Sequence, residues 1–307
     1  VSRPAALPAD PSPAEHGEGP IWDAARDELV WVDITAGLVR RGRVDADGTV
    51  SDLAAHRGGD TVGVVVPAAD GGWLLGAGGG FTHLSPEGEA RVLLELSAEG
   101  GTTERGTRMN DGACDRAGRF FAGTMAFDES PGAGRLYRVD LDGTVTVALP
   151  GLTISNGLGW SPDDRTAYLS DSGDSVVWAF DYDLGTGELS GRREFLRFDG
   201  SIGVADGLVV DDEGCVWTAM WGGRAVRRWS PEGELLTVVD VPTENATSCC
   251  FAGPERDLLA ISTSAHGLDY AARTAQPGAG RLFTARPGVR GPAAYPYRGP
   301  LTGLREV

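Results

Sequence analysis

One unit recurs six times along this chain. It is a short apolar strand, a turn rich in Asp and Gly, and a second strand ending in aromatic or branched residues. Gly19-Pro20-Ile21-Trp22 leads to Leu29-Val30-Trp31-Val32, and Gly63-Val64-Val65-Val66 crosses Asp70-Gly71-Gly72 to Trp73-Leu74-Leu75. Gly112-Ala113-Cys114-Asp115 leads to Phe120-Phe121-Ala122, Gly157-Leu158-Gly159-Trp160 to Ala167-Tyr168-Leu169, and Gly207-Leu208-Val209-Val210 to Val216-Trp217-Thr218. The sixth copy is degenerate, running from Ser248-Cys249-Cys250-Phe251 to Leu258-Leu259-Ala260. Copies begin at residues 19, 63, 112, 157, 207 and 248, a spacing that suits one four-stranded blade.

Most units add an outer hairpin, such as Leu38 to Val44 or Arg135 to Val139. A single blade cannot bury both of its faces, whereas radial closure gives each blade two neighbours and protects the sheet edges. The expected fold is therefore all-β: one six-bladed β-propeller of four-stranded antiparallel blades spanning residues 1–307. Residues 1–13 are expected to be a terminal extension or a ring-closing strand centred on Ala5 to Leu7. The 46 glycines and 18 prolines supply the turns this requires. No segment carries a sustained helical period, so the glycine run from Gly76 to Gly80 reads as a turn and not as a phosphate cradle.

The formal charge of −17 argues against nucleic acid and anionic membranes as partners. The opening residues, Val1 to Asp10, lack the basic start and apolar run of a secretory leader. No window is long and apolar enough to span a bilayer. A cytoplasmic protein, monomeric or a small homo-oligomer, is expected. Cys114, Cys215, Cys249 and Cys250 form no CxxC pair and read as buried, reduced thiols. The eight tryptophans mostly recur at blade positions and read as packing. Trp221, before Gly222-Gly223, is the candidate pocket wall.

In a propeller the first strand of each blade lines the axis, so residues leading into it converge at one mouth. Glu18, Asn156 and Asp206 each directly precede a glycine that opens a repeat and are expected at equivalent places on separate blades. Two carboxylates and an amide oxygen make a hard site suited to one divalent cation, with calcium first and zinc, manganese or magnesium as alternatives. The same residues also suit turn capping. Arg108 and Asn110 lead into the third copy and offer donors to a polyhydroxylated ligand. Asp111 beside them is a minor ligand or a turn acceptor. His16 reads as a mouth residue, and His56, His83 and His266 as surface or hydrogen-bonded histidines. No nucleophilic-serine elbow is present, because Ser155-Asn156-Gly157 lacks the GxSxG pattern.

The segments HGEGPIW at 16–22, RMNDG at 108–112, FAGTM at 121–125, SNGLGWSPD at 155–163 and ADGLVVDDEG at 205–214, in that order, resemble the gluconolactonase, regucalcin and senescence-marker-protein family of six-bladed propellers. The resemblance spans nearly all of 14–300. It implies metal binding by Glu18, Asn156 and Asp206, and substrate contact by Arg108 and Asn110. It also implies metal-dependent hydrolysis of a sugar lactone to the aldonic acid. Asp206 is the candidate to orient or deprotonate the attacking water, and Asp171, which follows Tyr168-Leu169-Ser170 at a strand end, is the reserve for that role or a turn acid. Some relatives read MAEE where this chain has Met125-Ala126-Phe127-Asp128, so Phe127 replaces a substrate-facing glutamate. The alternatives are hydrolysis of another ester or an organophosphate, and a calcium-binding propeller without turnover.

Overall fold

The computed structural model describes residues 1–9, 12–69, 71–97 and 106–307. Asp70, in the turn expected for the second copy, and residues 10 and 11 of the N-terminal segment lie outside the described residues. Six antiparallel sheets follow the six sequence copies. Their innermost strands are Gly17–Asp23, Val62–Pro67, Thr107–Cys114, Ser155–Trp160, Val204–Val210 and Asn245–Ala252. Each of the first five sheets then runs outward in chain order. In blade one the following strands are Glu28–Asp33, Leu38–Val44 and Val50–Arg57. The glycine run is a hairpin turn between Trp73–Ala77 and Gly80–Leu84. One short helix, Tyr270–Ala275, is found among the described residues.

The sixth blade takes its outermost strand from the other end of the chain. Leu7 and Pro8 pair with Thr284 and Phe283, while Ser2 and Ala5 bridge to Thr237 and Asp240 on the outer strand of blade five. Ala9 accepts from the Val50 amide of blade one, so the N-terminal segment touches three blades. At the C-terminus, Arg305 and Glu306 lie parallel to Thr144 and Val145, giving blade three a fifth strand.

The core is divided into six apolar wedges, each between neighbouring blades. Val30, Val32, Trp73 and Leu75 fill one; Phe121, Leu136, Leu169 and Phe180 fill another. Trp217, Phe251 and Phe283 fill the wedge that Ala6 helps to cover. Burial between blades is the main force that closes the ring. All four cysteines are free and buried.

Candidate active site

All six inner strands slip register near the same end of the channel. The irregularities fall between Glu18 and Ile21, Val62 and Val64, Met109 and Gly112, Ser155 and Leu158, Ala205 and Leu208, and Ala246 and Ser248. A bulge inserts one residue and re-aims side chains. Here it carries polar residues on an otherwise apolar strand to the channel mouth. Glycines allow the inner strands to meet. A Cβ on Gly157 would come within 2.1 Å of the Leu208 amide nitrogen, and one on Gly207 within 2.1 Å of Ser248 Oγ.

The bulges also correct the expected equivalence of the three oxygen donors. Asn156 and Asp206 are both the first residue beyond the last regular pair, Ser155 with Asp171 and Ala205 with Met220. Asn110 holds the same place after Met109. Glu18 is instead itself the last regular residue, paired with Val32, one position earlier. The cause is Gly19, which occupies the bulge place in a left-handed conformation with φ of 48°.

Glu18, Asn110, Asp111, Asn156 and Asp206 are all buried. Glu18 accepts from the Gly19 amide at 2.9 Å and Asp111 from the Gly112 amide at 2.6 Å. Asn110 Nδ2 donates to the Ser155 carbonyl at 3.0 Å, tying blade three to blade four. Asn156 Nδ2 donates to Ser172 Oγ at 3.1 Å, and Ser172 donates to the Ala205 carbonyl at 2.7 Å, tying blade four to blade five. Asn156 Oδ1 and Asp206 Oδ1 are buried with no hydrogen-bond partner among the described residues. Orphaned buried acceptors are rare and costly, and two on adjacent blades beside a further carboxylate suit a cation that prefers oxygen. The set depends on the amide oxygen, for among the described residues no three His, Cys, Asp or Glu side chains form a group that could hold a metal ion.

The charges of this layer act on one another. Burial, then Asp206 and Asp111, push the Glu18 pKa well above its ordinary value; burial, then Asp111, do the same to Asp206. Burial raises Asp111 to about 6. The Gly19 amide and then Arg108 oppose the shift in Glu18, and a hydrogen bond with the Asn156 side chain and then Arg108 oppose that in Asp206. Its Nη1 donates to Asn110 Oδ1 at 2.7 Å and to the Met109 carbonyl at 3.0 Å, and its Nε and Nη2 make no hydrogen bond to the described residues.

The remaining sequence candidates have distinct places. His16 stacks on His266 with centroids 5.1 Å apart and lies 5.8 Å from the Trp221 ring. Burial, then Arg108 and His266, push its pKa down to about 3, so the ring is neutral near pH 7. Phe127 follows the strand Phe120–Ala126 and is 48% exposed. Asp171 is fully buried and accepts from the Thr153 and Ile154 amides. A cavity of about 330 Å³ fills the opposite half of the channel, between Trp22, Val64, Leu158, Val210 and Cys250, and reaches only Asp111 of the candidate site.

Sequence reasoning missed four residues. Ser172 bridges two blades, Glu129 lies close enough to influence Arg108, His266 covers His16, and Asp33 accepts from the Glu15 and His16 amides. Asp33 carried a readable signal, since Asp33 and Asp171 both end the second strand of their unit. His266 and Glu129 lie in irregular segments where no repeat fixes their direction.

The molecule is thus a six-bladed propeller with a buried acidic layer at one end of its axis. Residues 16–265 match the family described as SMP-30/Gluconolactonase/LRE-like region, and the chain belongs to that family. It is 37% identical to regucalcin of Danio rerio over 290 residues, covering 93% of this chain and 95% of that protein. It is 34% identical to regucalcin of Homo sapiens over 304 residues, covering 94% and 97%. A structure described as a calcium-binding protein, regucalcin, from Agrobacterium tumefaciens superposes with a TM-score of 0.87 at 28% identity, covering 97% of this chain and 99% of that one. A luciferin-regenerating enzyme superposes with a TM-score of 0.84 at 26% identity, covering 96% and 100%.

Proposed function

We propose that this chain hydrolyses a sugar lactone to the aldonic acid at the channel mouth, with one divalent cation, calcium by preference, held by Glu18, Asn156 and Asp206. The observation that carries this reading is the pair of unpartnered buried oxygens, Asn156 Oδ1 and Asp206 Oδ1. When bound, such a cation supplies Lewis-acid polarisation of the ester carbonyl.

The chain's own residues do the rest. The Nε and Nη2 of Arg108, which make no hydrogen bond to the described residues, serve the developing oxyanion or the ring hydroxyls, while its Nη1 is held by Asn110. Asp206 orients the attacking water and accepts its proton through its second carboxylate oxygen, the one not given to the cation. Attack on the carbonyl carbon breaks the ring C–O bond, and the ring oxygen takes the proton back from Asp206 and leaves as the hydroxyl of the aldonic acid. His16, neutral and covered by His266, forms a wall with Trp221 that shields the site from bulk water. Phe127 at the mouth favours a substrate less polar, or smaller, than an acidic residue there would.

The arrangement around Arg108 favours turnover over passive cation storage, because a cation lowers its affinity next to a guanidinium and gains nothing from one. Acid release from gluconolactone, galactonolactone and pentonolactones, corrected for spontaneous opening, tests the reading. Asp206→Ala is expected to remain folded and to lose all release above background. Undiminished release by that variant would refute the role of Asp206.

A further inference from the structure

Two buried carboxylates stand behind the oxygen donors in a way that follows the donors and not the blades. Asp33 pairs in register with Gly17, the residue before Glu18, and accepts from the amides of Glu15 at 2.9 Å and His16 at 3.1 Å. Asp171 pairs with Ser155, the residue before Asn156, and accepts from the amides of Thr153 at 3.2 Å and Ile154 at 2.9 Å. Counted from Glu18 and from Asn156, the clamped amides are the same two, three and two residues upstream.

This match is informative because Glu18 and Asn156 are not in the same register. Relative to the bulge, Glu18 lies one position earlier than Asn156. A carboxylate serving only to close the corner of a blade would keep its place relative to the bulge. Asp33 is displaced by one residue from the place of Asp171, in step with the displaced donor. Both are nearly or wholly excluded from solvent, at 2% and 0% exposure. Arg40, at 3.6 Å from Asp33, donates to the Ser12 and Pro13 carbonyls and so fastens the same lead-in segment.

We infer that Asp33 and Asp171 are positioning residues, which fix the backbone leading to Glu18 and Asn156 so that these donors hold one geometry at the cation site. This rests on the cation site proposed above. Each grips two successive amides with one charged group, and such charge-assisted bonds are among the strongest available to a loop. Removing the partners behind a metal ligand commonly weakens affinity about 10- to 100-fold.

The test is calcium titration calorimetry on metal-stripped wild type, Asp33→Asn and Asp171→Asn, with thermal melting in parallel. Asparagine keeps the shape: at Asp33, whose two amides use different oxygens, its NH2 group must face one of them, and at Asp171, where Oδ1 serves both amides, it removes the charge and sets the NH2 group against the Thr153 amide. Asp115 is the control: it is equally buried and grips the Gly118 and Arg119 amides at the far end of blade three. Asp33→Asn and Asp171→Asn are expected to weaken calcium binding about 10- to 100-fold, whereas Asp115→Asn lowers the melting temperature without moving the affinity.

Unchanged affinity in both mouth variants, or an equal loss in Asp115→Asn, would overturn the inference while leaving the cation site standing. Absence of binding of calcium, zinc, manganese and magnesium alike by wild type would overturn the site itself. Should the variants not fold, amide exchange on wild type decides: calcium is expected to slow Glu15, His16, Thr153 and Ile154 more than Gly118 and Arg119. Equal slowing would contradict the assignment.

Discussion

Arg108 Nη1 sits 2.7 Å from Asn110 Oδ1, so the guanidinium is locked at one corner, and its other edge makes no hydrogen bond to the described residues. This fixes a cation's charge beside Glu18 and Asp206, both of which it influences, without forming an ion pair. Arg108→Ala should therefore act oppositely on the two ligands of the site. Loss of hydrogen bonds to a charged centre costs about 1.5–3 kcal/mol, or about 10- to 100-fold in kcat/KM. Cation affinity should tighten, because a repelling charge is gone. Steady-state kinetics and calcium titration on one preparation check both signs.

Acidity should stabilise the cation-free protein. Asp111 titrates at about 6 when folded because it is buried, against about 3.9 when unfolded. The folded form therefore holds the extra proton between about pH 4 and pH 6. Stability is lost as pH rises through that window, by on the order of 3 kcal/mol. Glu18 and Asp206 shift in the same direction and extend the loss upward. His16, pushed down to about 3, has the opposite sign between about pH 3 and pH 6.5. In His16→Gln, which removes that contribution, urea midpoints of metal-stripped protein should be higher at pH 5 than at pH 8, with calcium restoring stability at pH 8.

The inner strands meet through glycine, and Gly157 is the sharpest case. An added Cβ would meet backbone atoms of Leu208 and Gly207 in the next blade, which cannot rotate aside. Gly157→Ala should cost about 1–3 kcal/mol and weaken the cation site by parting Asn156 from Asp206. Gly79→Ala, where a Cβ would meet nothing within 4 Å, should leave both unchanged. Thermal melting and calcium titration of the two variants separate these outcomes.

The fold was legible because a propeller writes one pattern many times. Gly157-Leu158 and Gly207-Leu208 announce the same strand, and the wedges between blades follow from its apolar alternation. Glu18, Asn156 and Asp206 stood out as candidates because each precedes a conspicuous glycine. Their register was not legible. Glu18 looks equivalent to Asn156 in sequence, yet Gly19 takes a left-handed conformation that the other two glycines do not, and this moves Glu18 one place. The stacking of His16 on His266 joins residues 250 positions apart, through a segment that no repeat constrains. Closure of blade six by Leu7 and Pro8 was anticipated only as a segment centred slightly earlier.

Cation dependence is the claim on which the account turns, and lactone hydrolysis before and after chelation measures it directly. Protein stripped with a chelator and freed of it by dialysis should release acid from gluconolactone no faster than buffer, and added calcium, or another divalent cation, should restore the rate. Stripped protein that hydrolyses the lactone as fast as the loaded protein would contradict the account.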